Sequence, residues 1–232
     1  MKKTYTFLLI CFCLSIGSNL FGQKIEEQNR QVGQFDNISV QGGIDLFLRQ
    51  GSTTSVTVKA NDHIINDIAT EVEGNTLVIK YTKKMKTWGK NIQQKVYITV
   101  DDLDKLTASG GSDVLSEAFN LDNLSISASG GSDLELNLNV KELKLYCSGG
   151  SDTNLKGSAD KLEIKSSGGS DLNAQSFKAK DCMITASGGA DAHINVSGNL
   201  TMTATGASDI HYSGSPKILS QKTSGGADIH GN

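Results

Sequence analysis

The chain has 232 residues, with 22 Lys or Arg against 25 Asp or Glu, so its formal charge at pH 7 is −3. This balance gives no electrostatic basis for a general role in nucleic-acid binding, which requires an excess of positive charge. Beyond the first 22 residues the chain has only Cys147 and Cys182. Two cysteines are too few for a disulfide framework or a cysteine-rich metal site.

Residues 1–22 have the pattern of a secretory signal peptide, because Lys2 and Lys3 precede an apolar run that ends in small residues. We expect cleavage after Gly22. No later apolar run approaches the roughly 20 residues that are needed to cross a bilayer. The sequence therefore predicts an exported protein without a transmembrane span, located at the cell surface, at the outer membrane or in the periplasm.

Residues 23–107 predict short strands joined by turns such as Glu73-Gly74-Asn75. The strand-like runs are at 38–40, 45–48, 55–58, 77–81 and 96–100. We interpret this part as irregular first coils that also form a β cap on the regular repeats at 108–232. No linker composition separates the two parts, so residues 23–232 are expected to form one domain.

A basic cluster, KKMKTWGK, occupies residues 83–90. A solvated loop is the favoured interpretation, although lysines beside a tryptophan also suit an anionic glycan or a membrane surface. The candidate binding residues of this segment are Lys83, Lys84, Lys86, Trp88 and Lys90.

The rest of the chain repeats the phrase Ser-Gly-Gly-Ser-Asp or a close variant of it. Successive aspartates are 20, 19, 19, 20, 18 and 19 residues apart. A fixed period of this length is the mark of a solenoid, and QGGID at 41–45 is an earlier copy of the phrase. The repeated aspartates are Asp113, Asp133, Asp152, Asp171, Asp191, Asp209 and Asp228.

Aligning the repeats on the aspartate reveals strands rather than helices. The position after the aspartate is mostly apolar and the next one is mostly polar, which is the alternation of a strand with one buried face. Two apolar columns, headed by Leu124 and Ile126, and a column of small residues, headed by Ala128, precede each Gly-Gly. Strands that recur with matching columns stack in parallel, so the sequence predicts an all-β parallel β-helix with coils of about 19–20 residues. Cys147 and Cys182 are then small core residues with no bridge between them.

The repeated phrase fits a structural corner. Paired glycines permit positive φ at a tight turn, and Asp accepts hydrogen bonds from nearby backbone N–H groups. Calcium is the alternative, since glycine-aspartate repeats of β-rolls bind it, but those repeats have a nine-residue period that is absent here. We favour a structural row of carboxylates and expect no cofactor. Because every coil carries the same Asp, no pair of carboxylates is singled out for catalysis.

The last three coils place His193, His211 and His230 two residues after their aspartates, on one outward face and one coil apart. Stacked imidazoles are candidate zinc or copper ligands. The favoured interpretation is an ordinary polar column, because Asn154 and Asn173 hold the same position in earlier coils.

Several segments together resemble the putative auto-transporter adhesin head domain family (GIN domain) of Bacteroidetes-type bacteria. They are FDNISVQGGIDLFLRQG at 35–51, EVEGNTLVIKY at 71–81, VYITVDDLDKLTASGGSD at 96–113 and the array that follows. The resemblance implies a right-handed parallel β-helix and a role in cell adhesion, and it supplies no site residues. TGASD at 205–209 and Pro216 depart from the regular pattern, which places the regularity of the last two coils in question.

The sequence thus favours an exported, non-enzymatic protein of the cell envelope that acts as an adhesin or surface-binding module. Its expected partner is a surface glycan or a host or bacterial surface protein, and exposed strand edges at the end of the array suggest a homodimer. One alternative is a periplasmic ligand-binding or envelope-maintenance protein. The other is a carbohydrate-active enzyme with an unrecognised site.

Overall fold

A computed structural model of the chain describes residues 24–83 and 92–231. The expected signal peptide and Lys84, Lys86, Trp88 and Lys90 lie outside these residues. One short 3-10 helix, Ile65–Asp67, accompanies the strands, and the described part contains no helix with the length and hydrophobicity needed to cross a membrane. The strands are β1 (Ile25–Arg30), β2 (Asn37–Gln41), β3 (Asp45–Gln50), β4 (Ser55–Asn61), β5 (Ile68–Glu73), β6 (Thr76–Tyr81), β7 (Gln94–Val100), β8 (Lys105–Ser109), β9 (Val114–Ser129), β10 (Asp133–Ser148), β11 (Asp152–Ser166), β12 (Asp171–Gly188), β13 (Asp191–Val196), β14 (Asn199–Gly206), β15 (Asp209–Gly214), β16 (Lys217–Gly225) and β17 (Asp228–Gly231).

From β8 onward the strands stack in parallel, one coil on the next. Asp133 pairs with Asp152, and Asp152 pairs with Asp171, so the repeated phrase is in register between coils. The result is a parallel β-solenoid of about seven turns with coils of about 19 residues. The predicted all-β parallel β-helix is therefore confirmed.

In the middle of the array each coil contains one long strand, whereas the alternating columns on either side of the glycines predict two or three short strands in each repeat. In β10 the buried positions are even-numbered up to Val140 and odd-numbered from Leu143. This change of parity shows that the chain turns near residues 141–142 while its backbone pairing continues. The side chains before and after the turn consequently point into the same core.

The apolar columns predicted from the alignment form this core. Leu124, Leu143, Leu162 and Leu200 are at most 3% exposed, and both cysteines are free and buried in the same interior. The column of small residues, which includes Ala128 and Ala186, is also buried, next to the glycine corner. Stacked aliphatic rows exclude water from the solenoid along its length.

The first strands that follow the repeated pattern, β2 and β3, are inserted between strands that come later in the chain. Strand β2 lies between β6 and β8, and β3 lies between β7 and β9, all in parallel pairing. Strands β1, β4 and β5 add antiparallel pairings beyond them, with β4 on β7, β1 on β4 and β5 on β6. These strands cover the sheet edge at this end, which limits pairing with other chains there.

The last coil keeps its register in spite of Pro216. Asp209 pairs with Asp228 and His211 with His230, and the pairing shifts once, at Leu219. Gln221 and Thr223 pair with Met202 and Ala204. Polar, exposed side chains therefore occupy two positions that are apolar and buried in the preceding coil. The last coil therefore keeps the pairing of the earlier coils without their apolar side chains at these two positions.

Candidate binding groove

The serine before the aspartate is buried inside five of the seven repeated corners, whereas Ala190 and Ala227 hold this position in the other two. The side chains of Ser112, Ser132, Ser151, Ser170 and Ser208 are 0% exposed. Ser208 Oγ accepts the N–H of Thr205 at 3.1 Å and donates to the carbonyl oxygen of Thr205 at 3.0 Å. The hydroxyl thereby satisfies backbone groups that would otherwise be buried without partners. This role was not predicted from the sequence, although the recurrence of the serine was a signal for it.

The aspartates point outward and form a row of eight, because Asp45 joins the seven predicted members. Leu46 pairs with Val114, which places Asp45 beside Asp113 although the two are 68 positions apart (113 − 45). Partial burial and the neighbouring charge of Asp133 raise the pKa of the Asp113 carboxyl group. At Asp171, partial burial and the neighbouring charges of Asp152 and Asp191 raise the pKa of the carboxyl group. The row therefore carries mutual repulsion at neutral pH.

Replacing Asp171 by Asn is expected to increase the free energy of unfolding at pH 7 by about 0.5–1 kcal/mol, because two like-charged neighbours lose their repulsion. A carboxyl pKa that is raised in the folded state lowers stability above that pKa, so the gain should disappear as the pH falls below about 4. It should also shrink in 1 M salt, where the Debye length is about 3 Å.

Denaturant titrations at pH 7 and pH 3.5, with and without salt, measure this gain. Asp160→Asn is the matched control, since Asp160 is equally exposed but lies near Lys141 instead of in the row. Equal stabilisation by both substitutions would contradict the account of the row.

A second outward row lies beside the aspartates, two residues further along each strand. Parallel register places Tyr97 beside Phe47 and Phe47 beside Leu115, after which the polar members follow. We call this line the groove row, and its members in spatial order are Tyr97, Phe47, Leu115, Glu135, Asn154, Asn173, His193, His211 and His230. The row changes from aromatic and aliphatic at one end, through amides, to imidazoles at the other.

Three separate hollows follow one another along the groove row, and we call them together the groove. Their volumes are about 500, 430 and 260 Å³. The first two share Ser116 as a lining residue, and the second and third share Asn154. We call the outward surface formed by the aspartates, the groove row and the residues next to it the groove face. A line of hollows across successive coils suits an extended ligand.

The groove face contrasts with the other outward surface of the coils, which we call the second face and which carries Lys144, Glu163, Met183 and Thr201. Its charges are largely paired among themselves: Lys144 Nζ is 3.6 Å from a Glu142 carboxylate oxygen, and Lys165 Nζ is 3.1 Å from that of Glu163. It has a hollow of about 300 Å³ beside Met183.

The three histidines stack as predicted. The ring centroids of His193 and His211 are 4.6 Å apart and those of His211 and His230 are 5.1 Å apart, with nearly parallel planes. A ring nitrogen offers its lone pair in the ring plane, so rings that face one another do not direct their nitrogens at a common ion. Within residues 24–83 and 92–231, no group of three or more His, Cys, Asp or Glu side chains is arranged to hold a metal ion. The metal interpretation remains a hypothesis that this geometry does not favour.

Of the basic cluster, the structure describes Lys83. Its ammonium group lies 3.0 Å from an Asp67 carboxylate oxygen and remains largely exposed. This pairing connects the start of the segment to the 3-10 helix that precedes β5.

The fold is shared with solved structures of bacterial proteins. A putative adhesin from Bacteroides fragilis NCTC 9343 superimposes with a TM-score of 0.84 at 24% identity, over 91% of this chain and 98% of that one. A putative lipid binding protein from Parabacteroides distasonis ATCC 8503 gives 0.70 at 18% identity, over 90% and 96%. A putative adhesin from Parabacteroides merdae ATCC 43184 gives 0.68 at 15%, over 90% and 96%. At these identities the likeness concerns the fold alone.

The comparison with curated proteins gave no match. A family model, in contrast, matches residues 34–216, which include the first coil, the groove row as far as His211 and most of the repeated corners. Since this match covers well over half of the chain, the protein belongs to the family described as putative auto-transporter adhesin, head GIN domain.

Proposed function

We propose that the protein is an exported, non-enzymatic module of the cell envelope that binds a partner through its groove face, with adhesion as its leading role. The adhesin description of its family supports the role, and the names of two similar structures agree with it. Export is supported by the signal-peptide pattern of residues 1–22.

The observation that carries the proposal is the groove, a line of three neighbouring hollows on one face of the solenoid. Its floor and walls come from rigid, paired strands, so its side chains are held in fixed rows rather than on loops. A surface prepared in this way loses little conformational freedom when it binds an extended partner. The repeated corners therefore serve to hold a long binding surface straight.

The chemistry of the described residues supports binding rather than catalysis. The same Asp recurs in every coil, so the row does not separate an acid from a base in the way that hydrolysis requires. Burial raises the pKa of Cys182 to about 12 and also raises that of Cys147, which keeps both thiols protonated and unreactive.

Protease treatment of intact cells tests the expected location. We expect the native protein to be digested while a known periplasmic protein in the same cells stays intact. Detergent-permeabilised cells, in which both proteins are accessible, provide the control. Protection of the native protein together with the periplasmic marker would contradict an adhesin role at the cell surface.

A further inference from the structure

The largest hollow of the groove lies at its aromatic end and is lined by two adjacent rows of different chemistry. One row consists of Tyr97, Phe47 and Leu115, and the rings of Phe47 and Tyr97 stack with centroids 4.8 Å apart. Tyr97 and Leu115 are each 38% exposed, so the three side chains form a contiguous apolar patch that is open to solvent. We call this hollow the aromatic cleft.

The adjacent row, two residues further along β3 and β7, is polar: Arg49 lies beside Thr99, and Thr99 beside Ser55. The hydroxyl-bearing residues of the cleft are Ser55, Thr57, Thr99 and Ser116. An apolar row next to hydroxyl-bearing side chains suits a ligand that has both C–H surface and hydroxyl groups. A sugar ring has this distribution of groups.

Arg49 indicates what else the ligand carries. One guanidinium nitrogen donates to Thr99 Oγ1 at 3.2 Å, and no ion pair within residues 24–83 and 92–231 joins Arg49 to a carboxylate. A guanidinium group has five N–H donors in a planar fork, so most of this fork has no partner among the residues that the structure describes. Such a fork matches the two oxygens of a carboxylate in a bidentate pair.

The distribution of charge along the groove face favours an anionic group at this end. Lys95 lies in the line that continues into the aspartate row, and its Nζ is 5.2 Å from the centre of the Phe47 ring. Its neighbour Lys59 is 3.9 Å from a carboxylate oxygen of Glu27, so Lys95 and Arg49 supply the positive charge of this end. The carboxylates of the aspartate row begin at Asp45 and continue away from Lys95, towards the histidine end of the groove face. Glu117 also lines the cleft, so a single negative charge suits it better than a doubly charged phosphate.

We infer that the aromatic cleft binds one carboxylated sugar unit of a glycan. Arg49 binds the carboxylate, the hydroxyl side chains bind the ring hydroxyls, and Tyr97 with Leu115 covers the C–H surface. The rest of the glycan extends along the groove row towards Asn154. This inference rests on the proposed function and specifies the ligand class of the same groove face.

The test uses the full-length protein and an immobilised panel of acidic glycans, each paired with its carboxyl-reduced form. We expect the acidic members to be retained. Their reduced forms should bind at least about tenfold more weakly, because the charged hydrogen-bonded pair is lost. Arg49→Lys keeps the charge but loses the fork and should reduce acidic-glycan binding by about tenfold. Tyr97→Ala should weaken both forms equally.

Lys165→Gln is the matched control, since Lys165 lies over the Tyr146 ring on the second face and its loss should leave glycan binding unchanged. Thermal melting confirms that each variant is folded. Equal retention of acidic and reduced glycans, preference for sulfated members, or capture of peptides instead of glycans would each overturn the inference.

Binding of coated beads to cells distinguishes this inference from the proposed function. Undiminished cell binding by beads that carry the Arg49→Lys variant would reject the aromatic cleft as the binding site and would leave the proposed function unaffected.

Discussion

Replacing Phe177 by alanine is expected to lower the free energy of unfolding by about 3–5 kcal/mol. The Phe177 side chain is 0% exposed and pairs in register with Gly157, which contributes no side chain to the core. Phe177 therefore fills space for two coils, and the cavity left by its removal cannot be closed by a neighbour on that side. Denaturant unfolding followed by circular dichroism measures the loss.

Met183→Ala in the same strand is the matched control for this prediction. Met183 is 56% exposed, so its truncation should change the free energy of unfolding by no more than about 0.5 kcal/mol. A loss at Phe177 as small as that at Met183 would show that the core of the solenoid is not packed as described.

Alanine at Gly188 is expected to cost about 3 kcal/mol. Gly188 has φ +77°, which costs an L-residue about 1–2 kcal/mol. A Cβ at this position would also lie 3.0 Å from the backbone N and O of Gly168 in the coil below, so the stacked corners must shift, at about 1–3 kcal/mol.

Gly131→Ala separates these two contributions. Gly131 has φ +74°, close to that of Gly188, but a Cβ there meets no atom within 4 Å. Its substitution should therefore cost only the conformational part, about 1–2 kcal/mol. Similar losses at both positions, compared by their unfolding midpoints, would contradict the close stacking of the corners.

The regular coils were predictable because one physical rule repeats in them. Matching apolar columns at a fixed period fit only strands stacked in parallel, and the position of His193, His211 and His230 on one face follows directly. The chain turn near residues 141–142 was not predictable as a corner, since no glycine marks it. Only the switch in the parity of buried residues between Val140 and Leu143 reveals it.

The groove face was only half predictable. Its polar part follows from the alignment, but its aromatic end combines Tyr97, Phe47 and Leu115 from three strands that are distant in sequence. The insertion of β2 and β3 between later strands brings them together, and the period carries no information about that insertion. Aligning QGGID with the later corners would have placed Phe47 in the row, whereas Tyr97 follows Lys95 instead of an aspartate and gave no signal.

Adhesion of protein-coated beads to cells that carry the binding partner tests the role of the groove face most directly. The triple substitution Asn154→Ala, Asn173→Ala and His193→Ala removes exposed or half-buried side chains from the middle of the groove row without touching the core. Lys144→Ala, Glu163→Ala and Thr201→Ala make the matched change on the second face. We expect the first variant to reduce bead binding to the level of uncoated beads and the second to bind like the original protein. Unchanged binding by the groove variant, or loss of binding only with the second-face variant, would contradict the groove as the adhesive surface.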